Sequence, residues 1–222
     1  MTEPTTAPPT TPTAGPTAGP SPQPSPQPTA GPSPQPTTGP TTQPTRLPPL
    51  VGEDHSCDRC GLRYPELTVA HAAAIIAEVP GRARAVSLPL PEPKRRHRQR
   101  PRTWSVLEYV CHLRDVYMTS TIRLHRTRTE HEPALEPMYN ELRARRFGYN
   151  TLDLAAVLDE LAAAVAGFLD EVGRVGADQW DRTATRQPGE RRTALWLVRQ
   201  AAHEGTHHLR DITDLASDPN AR

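Results

Sequence analysis

Apolar residues recur at helical spacing along four stretches of the chain, and no stretch alternates apolar with polar over a strand's length. Ala70, Ala73, Ala74, Ala77 and the Ile75–Ile76 pair lay out one apolar face from about Thr68 to Ser87, with Pro80 expected to kink it. Thr103 is the expected N-cap of a second helix, carried by Val106, Leu107, Val110, Leu113, Val116 and Tyr117 and ending near Arg126. A third runs from Asn150 or Thr151 through Leu154, Val157, Leu158, Leu161, Val165 and Phe168 to about Val175. The fourth begins near Arg192 and passes His208 on its way to Leu215. Four amphipathic helices of this length bury their stripes by packing on one another, so the predicted fold class is all-α, a four-helix bundle. The connection 127–149, with Arg143, Arg145, Arg146 and Phe147, is expected to be partly ordered on the surface.

Composition separates this bundle from what precedes it. Of 27 prolines in 222 residues, 17 fall in the first 50 positions, and from Met1 to Thr45 the only charged side chain is Glu3. Short units repeat there, TAGP at 13–16, 17–20 and 29–32, and SPQP at 21–24, 25–28 and 33–36. Such a segment buries too little apolar surface to offset its ordering entropy. The expected domains are therefore a disordered Pro/Thr-rich segment, 1–50, and a bundle domain, 51–222. An extended polyproline spacer is the expected role of the head, with docking to another protein as the alternative. The formal net charge of +1 favours no class of partner. No apolar run approaches the roughly 18 residues of a membrane span and no apolar h-region follows a basic start, so no membrane association is expected. Cys57, Cys60 and Cys111 are an odd set that argues against a disulfide framework, and the cytoplasm is the expected location.

The candidate chemistry lies in the histidines. EYVCHLRD (108–115) brings His112 on the second helix, and AHEGTHHLRDI (202–212) brings His203, Glu204, His207, His208 and Asp211 on the fourth. Two ligands four residues apart on a helix share one face and can share a metal ion, which leaves two pairs, His203 with His207 or Glu204 with His208. On a wheel advancing about 100° per residue, His208 falls about 40° and Glu204 about 80° from the centre of the apolar face, whereas His203 and His207 fall about 180° and 140° away, beside Arg199, Arg210 and Asp214 on the side expected to face water. Geometry favours Glu204 and His208, with His112 as the third ligand from another helix. Three protein ligands leave a position open for chemistry, and two imidazoles with a carboxylate suit zinc, nickel, iron or manganese alike. Asp211 is placed to hold an imidazole N–H from outside the ligand set.

These motifs carry a resemblance. WSVLEYVCHLRDV (104–116), Asp178-Gln179-Trp180-Asp181 and HEGTHHLRDI (203–212) resemble the DinB/YfiT-like superfamily of four-helix bundles, and CDRCGLRY (57–64) is similar to an actinobacterial branch that opens on CxxCG. The resemblance implies a divalent metal on His112 and on two ligands four apart in the last helix. Asp211-Ile212 sits where the family's pattern again picks His208 with Glu204; many members have His at the Glu204 position, and the mycothiol-dependent maleylpyruvate isomerase branch has Glu. The His203–His207 pair stays open as the alternative. Characterised relatives are often thiol-dependent transferases or isomerases, so the function implied is metal-dependent S-transfer to, or isomerisation of, small electrophiles, with a low-molecular-weight thiol such as mycothiol as cosubstrate. The reading from another class is a metal-binding or partner-binding protein without catalysis. A small-molecule substrate and a homodimer are the partners in view.

Two features compete. Cys57 and Cys60 form a CxxC for which His55 and Cys111 are the conceivable partners, but a structural zinc site wants four ligands and usually a second close pair, and the sequence offers none. The motif therefore reads as a reduced turn before the first helix, and Cys111 as a small buried hydrophobe. The basic run 94–102 holds Lys94, Arg95, Arg96, Arg98, Arg100 and Arg102 without interleaved aromatics, which argues against nucleic acid.

Overall fold

A computed structural model describes residues 48–218, so the Pro/Thr-rich head lies outside the described residues except for its last three positions. The first of the elements is α1 (Val69–Ser87), followed by a short α2 (Glu92–Arg96) and α3 (Val106–Thr129). Another short helix, α4 (Asn140–Arg146), precedes α5 (Leu154–Gly173); a hairpin of β1 (Thr183–Thr185) and β2 (Arg191–Thr193) then leads into α6 (Ala194–Ser217). The four long helices form the bundle. Both α1 and α3 pack on both α5 and α6, while α1 barely meets α3, so α1 and α3 are diagonal partners, as are α5 and α6. Tyr64, Tyr117, Tyr149 and Phe168 are among the largest side chains fully buried between them. None of the described helices is long and apolar enough to cross a membrane.

Local chemistry sets where each helix begins. Thr68, Asp153 and Thr193 each accept a hydrogen bond from the backbone N–H three residues on, satisfying one of the orphan donors of a first turn. Ser105 rather than Thr103 caps α3, because Ser105 and Glu108 close a reciprocal capping box: Ser105 Oγ accepts from the Glu108 N–H and Glu108 Oε2 from the Ser105 N–H. The third long helix starts at Leu154 rather than 150 or 151, since residues 149–151 form a separate 3-10 turn and Asp153 supplies the cap. Pro80 stands inside α1 without ending it. The two three-residue strands are too short for an alternation to register in sequence, yet they matter here: β2 ends on the α6 N-cap, and Glu53 accepts from the Thr193 N–H.

The segments between helices are held by arginines. Lys94, Arg95, Arg96 and Arg98, in the run weighed above for nucleic-acid binding, all hydrogen-bond within the chain; Arg98 grips Glu108 through two nitrogens at 2.7 and 2.6 Å. Leu50, which the sequence reading leaves in the head, packs against the core.

Gly205 lets α6 approach its neighbours. A Cβ there would stand 2.8 Å from Val79 Cγ2 on α1, and nearer still to the Tyr117 hydroxyl on α3. Real Cβ atoms do not sit so close, so a side chain at 205 forces the three helices apart beside Glu204. Gly205→Ala is expected to destabilise the fold by about 1–3 kcal/mol through overpacking, despite about 1 kcal/mol of helix propensity in alanine's favour. Urea unfolding measures it, and a neutral or stabilising result would contradict this packing.

Candidate metal centre

One turn of α6 separates Glu204 from His208, and α3 lays His112 across from both. His112 Nε2 and His208 Nε2 each lie 3.2 Å from the same carboxylate oxygen, Glu204 Oε2. The two imidazoles meet edge to face with their centroids 4.8 Å apart. The donor atoms of His112, Glu204 and His208 all lie within 4.8 Å of one another, and no fourth His, Cys, Asp or Glu among the described residues joins that group. Trp104 stacks beside His112 and Tyr109 beside His208, so aromatic rings border the cluster. His112 is 2% exposed, whereas Glu204 and His208 keep 25% and 19% of their side-chain surface, which opens the cluster on the α6 side.

The surroundings orient each donor. Asp211 Oδ2 lies 2.9 Å from His208 Nδ1, which fixes the tautomer with its proton on Nδ1 and turns Nε2 to the cluster. Gln200 donates to Glu204 Oε1 at 2.7 Å, holding the carboxylate with its other oxygen toward the imidazoles. Burial disfavours a charge on His208, but the hydrogen bonds to Asp211 and Glu204 outweigh it and hold the imidazole up at about 9. His112 goes the other way, because burial dominates the Glu204 contact and favours the neutral ring. Burial would raise the Glu204 carboxyl, yet the hydrogen bonds from His112 and His208 keep it well below the usual range. The set is thus an ionised carboxylate with two imidazole nitrogens converging on it, the donor chemistry of a divalent transition metal.

The wheel's other prediction, that His203 and His207 face water, is corrected. Both are half-buried, because the segment before α1 folds back over that side of α6, with His55 and Tyr64 against His203 and Cys57 against His207. Cys57 Sγ comes to 3.5 Å from His207 Nδ1, and the donor atoms of Cys57, Cys60, His203 and His207 lie within 4.8 Å of one another. His203–His207 therefore faces a different partner set from His112. The second ligand pair that CxxC lacks in local sequence stands about 145 residues further on, a distance at which spacing carries no signal. His55 packs against the His203 ring, and Cys111 belongs to neither group. Burial pushes the Cys111 thiol up to about 12, which makes it an inert packing residue. Two surface clefts, of about 270 and 550 Å³, are lined by none of the residues of either cluster.

Comparison with known proteins places this architecture. No curated protein matches the chain. Among solved structures, YfiT from Bacillus subtilis, described as a probable metal-dependent hydrolase with an unusual four-helix bundle topology, superposes with a TM-score of 0.63 at 22% identity. The match covers 66% of this chain and 85% of YfiT. The family model of the DinB superfamily matches residues 75–212, a span that contains His112, Glu204 and His208 together with α3, α5 and nearly all of α6. The chain belongs to the DinB superfamily.

Proposed function

We propose that the protein is a divalent-metal-dependent enzyme that joins a low-molecular-weight thiol to small electrophiles, or isomerises them through such a thiol. The metal would be held by His112, Glu204 and His208. The observation that carries this reading is the convergence of two imidazole nitrogens on one carboxylate oxygen, 3.2 Å from each, in a three-donor set with one open side. Such an ion acts as a Lewis acid and lowers the pKa of a thiol or water that reaches it. The chain's own residues do the rest. Asp211 holds the His208 proton on Nδ1, Gln200 orients Glu204, and the Trp104 and Tyr109 rings give an apolar border that keeps water from one flank. The resemblance to YfiT favours a second reading, in which water replaces the thiol and the reaction is hydrolysis.

A panel of thiols and electrophiles, assayed with and without chelator, separates the two. Thiol-dependent turnover that vanishes on chelation is the expected result. Chelator-sensitive turnover without thiol selects hydrolysis, and turnover indifferent to chelation would contradict both.

The hydrogen bonding around His208 makes a further demand. At neutral pH its Nε2 carries a proton that a metal must displace, so affinity is expected to rise about tenfold per pH unit between about 7 and 9. Asp211→Asn removes the carboxylate behind the ring and, compared at pH 9 or above where the proton no longer competes, is expected to weaken metal binding about 10–100-fold, with the helical circular dichroism unchanged. Titration calorimetry of the variant against the parent reads this, and equal affinities would contradict the role given to Asp211.

A further inference from the structure

We propose that Cys57, Cys60, His203 and His207 form a second, four-ligand zinc site, which clips the segment ahead of α1 onto α6. The site is separate from the His112 triad and does not depend on it. Four soft or borderline donors, two thiols and two imidazoles, complete a closed tetrahedron, the ligand count of a structural rather than a catalytic zinc. The spacing on each side suits the task. Cys57 and Cys60 bracket a turn that closes through the Gly61 N–H donating to Cys57 O at 2.7 Å and the Cys57 N–H donating to Leu62 O at 2.9 Å. Gly61 takes φ +80, a conformation side chains rarely adopt, so the glycine after the second cysteine lets this tight turn form. His203 and His207 stand one helical turn apart on α6, which turns both rings toward the turn.

Distances and hydrogen bonds agree with a metal at the centre. Tetrahedral zinc with bonds of about 2.3 Å to sulfur and about 2.05 Å to nitrogen separates the two donors by about 3.6 Å; Cys57 Sγ and His207 Nδ1 are 3.5 Å apart. His203 Nε2 is buried with no hydrogen-bond partner, an arrangement that is costly for a ring nitrogen unless something else occupies it. Its opposite nitrogen explains why that atom is a lone pair rather than an N–H. The Tyr64 hydroxyl spends its proton on Gln200 Oε1 at 2.5 Å, so at 3.1 Å it accepts from His203 Nδ1. The proton is thereby fixed on Nδ1, and Nε2 is presented as a ligand. Zinc binding would release two thiol protons and leave two thiolates that neutralise the ion, so the half-buried site carries no net charge.

The clip also reaches the triad. Arg59, between the two cysteines, donates to Asp211 Oδ1 at 2.5 Å, and Asp211 is the carboxylate that fixes His208. Gln200 joins the hydrogen-bonded chain from Tyr64 to Glu204.

Cobalt(II) titrated into the reduced, metal-stripped full chain tests the proposal, because only a thiolate ligand gives a cobalt charge-transfer band in the near ultraviolet. The expected result is a band that saturates within two equivalents in the unaltered chain and at one in His112→Ala, and that zinc displaces. It should vanish in a Cys57→Ser/Cys60→Ser variant and persist in His112→Ala, which breaks only the triad. In parallel, zinc is expected to shield Cys57 and Cys60 from alkylation in the unaltered chain, a readout that stands even where the serine variant folds poorly. Absence of the band at saturating cobalt, a band surviving in the serine variant, or alkylation indifferent to zinc would each overturn the site.

Discussion

His112→Ala is expected to weaken metal binding at the triad by more than a hundredfold and to abolish any chelator-sensitive turnover. Losing an outer carboxylate behind a ligand typically costs 10–100-fold, and losing one of three ligands outright costs more. His112 is also the only donor that α3 contributes, so without it the remaining pair lies on a single helix turn and cannot enclose an ion. The truncation leaves a cavity beside Trp104, which is expected to cost about 2 kcal/mol. Thermal melting measures that loss separately, and His112→Gln, closer in volume, is expected to keep stability while losing the metal. Affinity within a few-fold of the unaltered chain in both variants would contradict the assignment.

The largest expected effect on stability lies one turn away on the same helix. Asp115 is 2% exposed and accepts from Arg114 Nε at 2.8 Å, from Arg143 Nε and Nη2 at 2.9 and 2.6 Å, and from the Tyr149 hydroxyl. It thereby ties α3 to α4 and to the 3-10 turn before α5. Asp115→Ala removes a carboxylate that three groups need, and breaking such a buried pair costs about 3–5 kcal/mol. Arg143 retains 37% exposure and can rehydrate, which places the effect at about 3 kcal/mol. For a domain of this size that lowers Tm by about 10 °C. Burial would raise the Asp115 carboxyl, but the Tyr149 and Arg143 hydrogen bonds and the Arg114 charge hold it below the usual range. A carboxyl depressed in the folded state stabilises at pH values above its unfolded pKa of about 3.9, and that stabilisation is lost as pH falls through the depressed value. The gap between parent and variant is therefore expected to stay constant from pH 8 to 5 and to close in acid. A difference below 1 kcal/mol at pH 7 would contradict the role of this network.

The four long helices are legible in sequence because each carries an apolar stripe long enough to establish its period; the boundaries move by two to four residues where a local cap decides. Thr103 looks like an N-cap, but Ser105 has a Glu three residues on and closes the box. That His112, Glu204 and His208 come together is legible for the same reason as the helices, since wheel angles report which side faces a neighbouring helix. The same wheel fails for His203 and His207, because it assumes that whatever the bundle leaves uncovered meets water. A segment some 140 residues earlier covers that face, and nothing in the periodicity of α6 announces it. Gly205 illustrates the converse: its place in the apolar stripe is plain, but its need to be glycine appears only with Val79 and Tyr117 against it.

The central claim is that one divalent ion sits between His112, Glu204 and His208. Anomalous diffraction from crystals of the full chain grown with a single divalent metal, collected at that metal's absorption edge, tests it most directly. A peak about 2.0–2.2 Å from His112 Nε2, His208 Nε2 and a Glu204 oxygen is the predicted result. Crystals with the metal in excess, and with no anomalous density within reach of those three atoms, would contradict it.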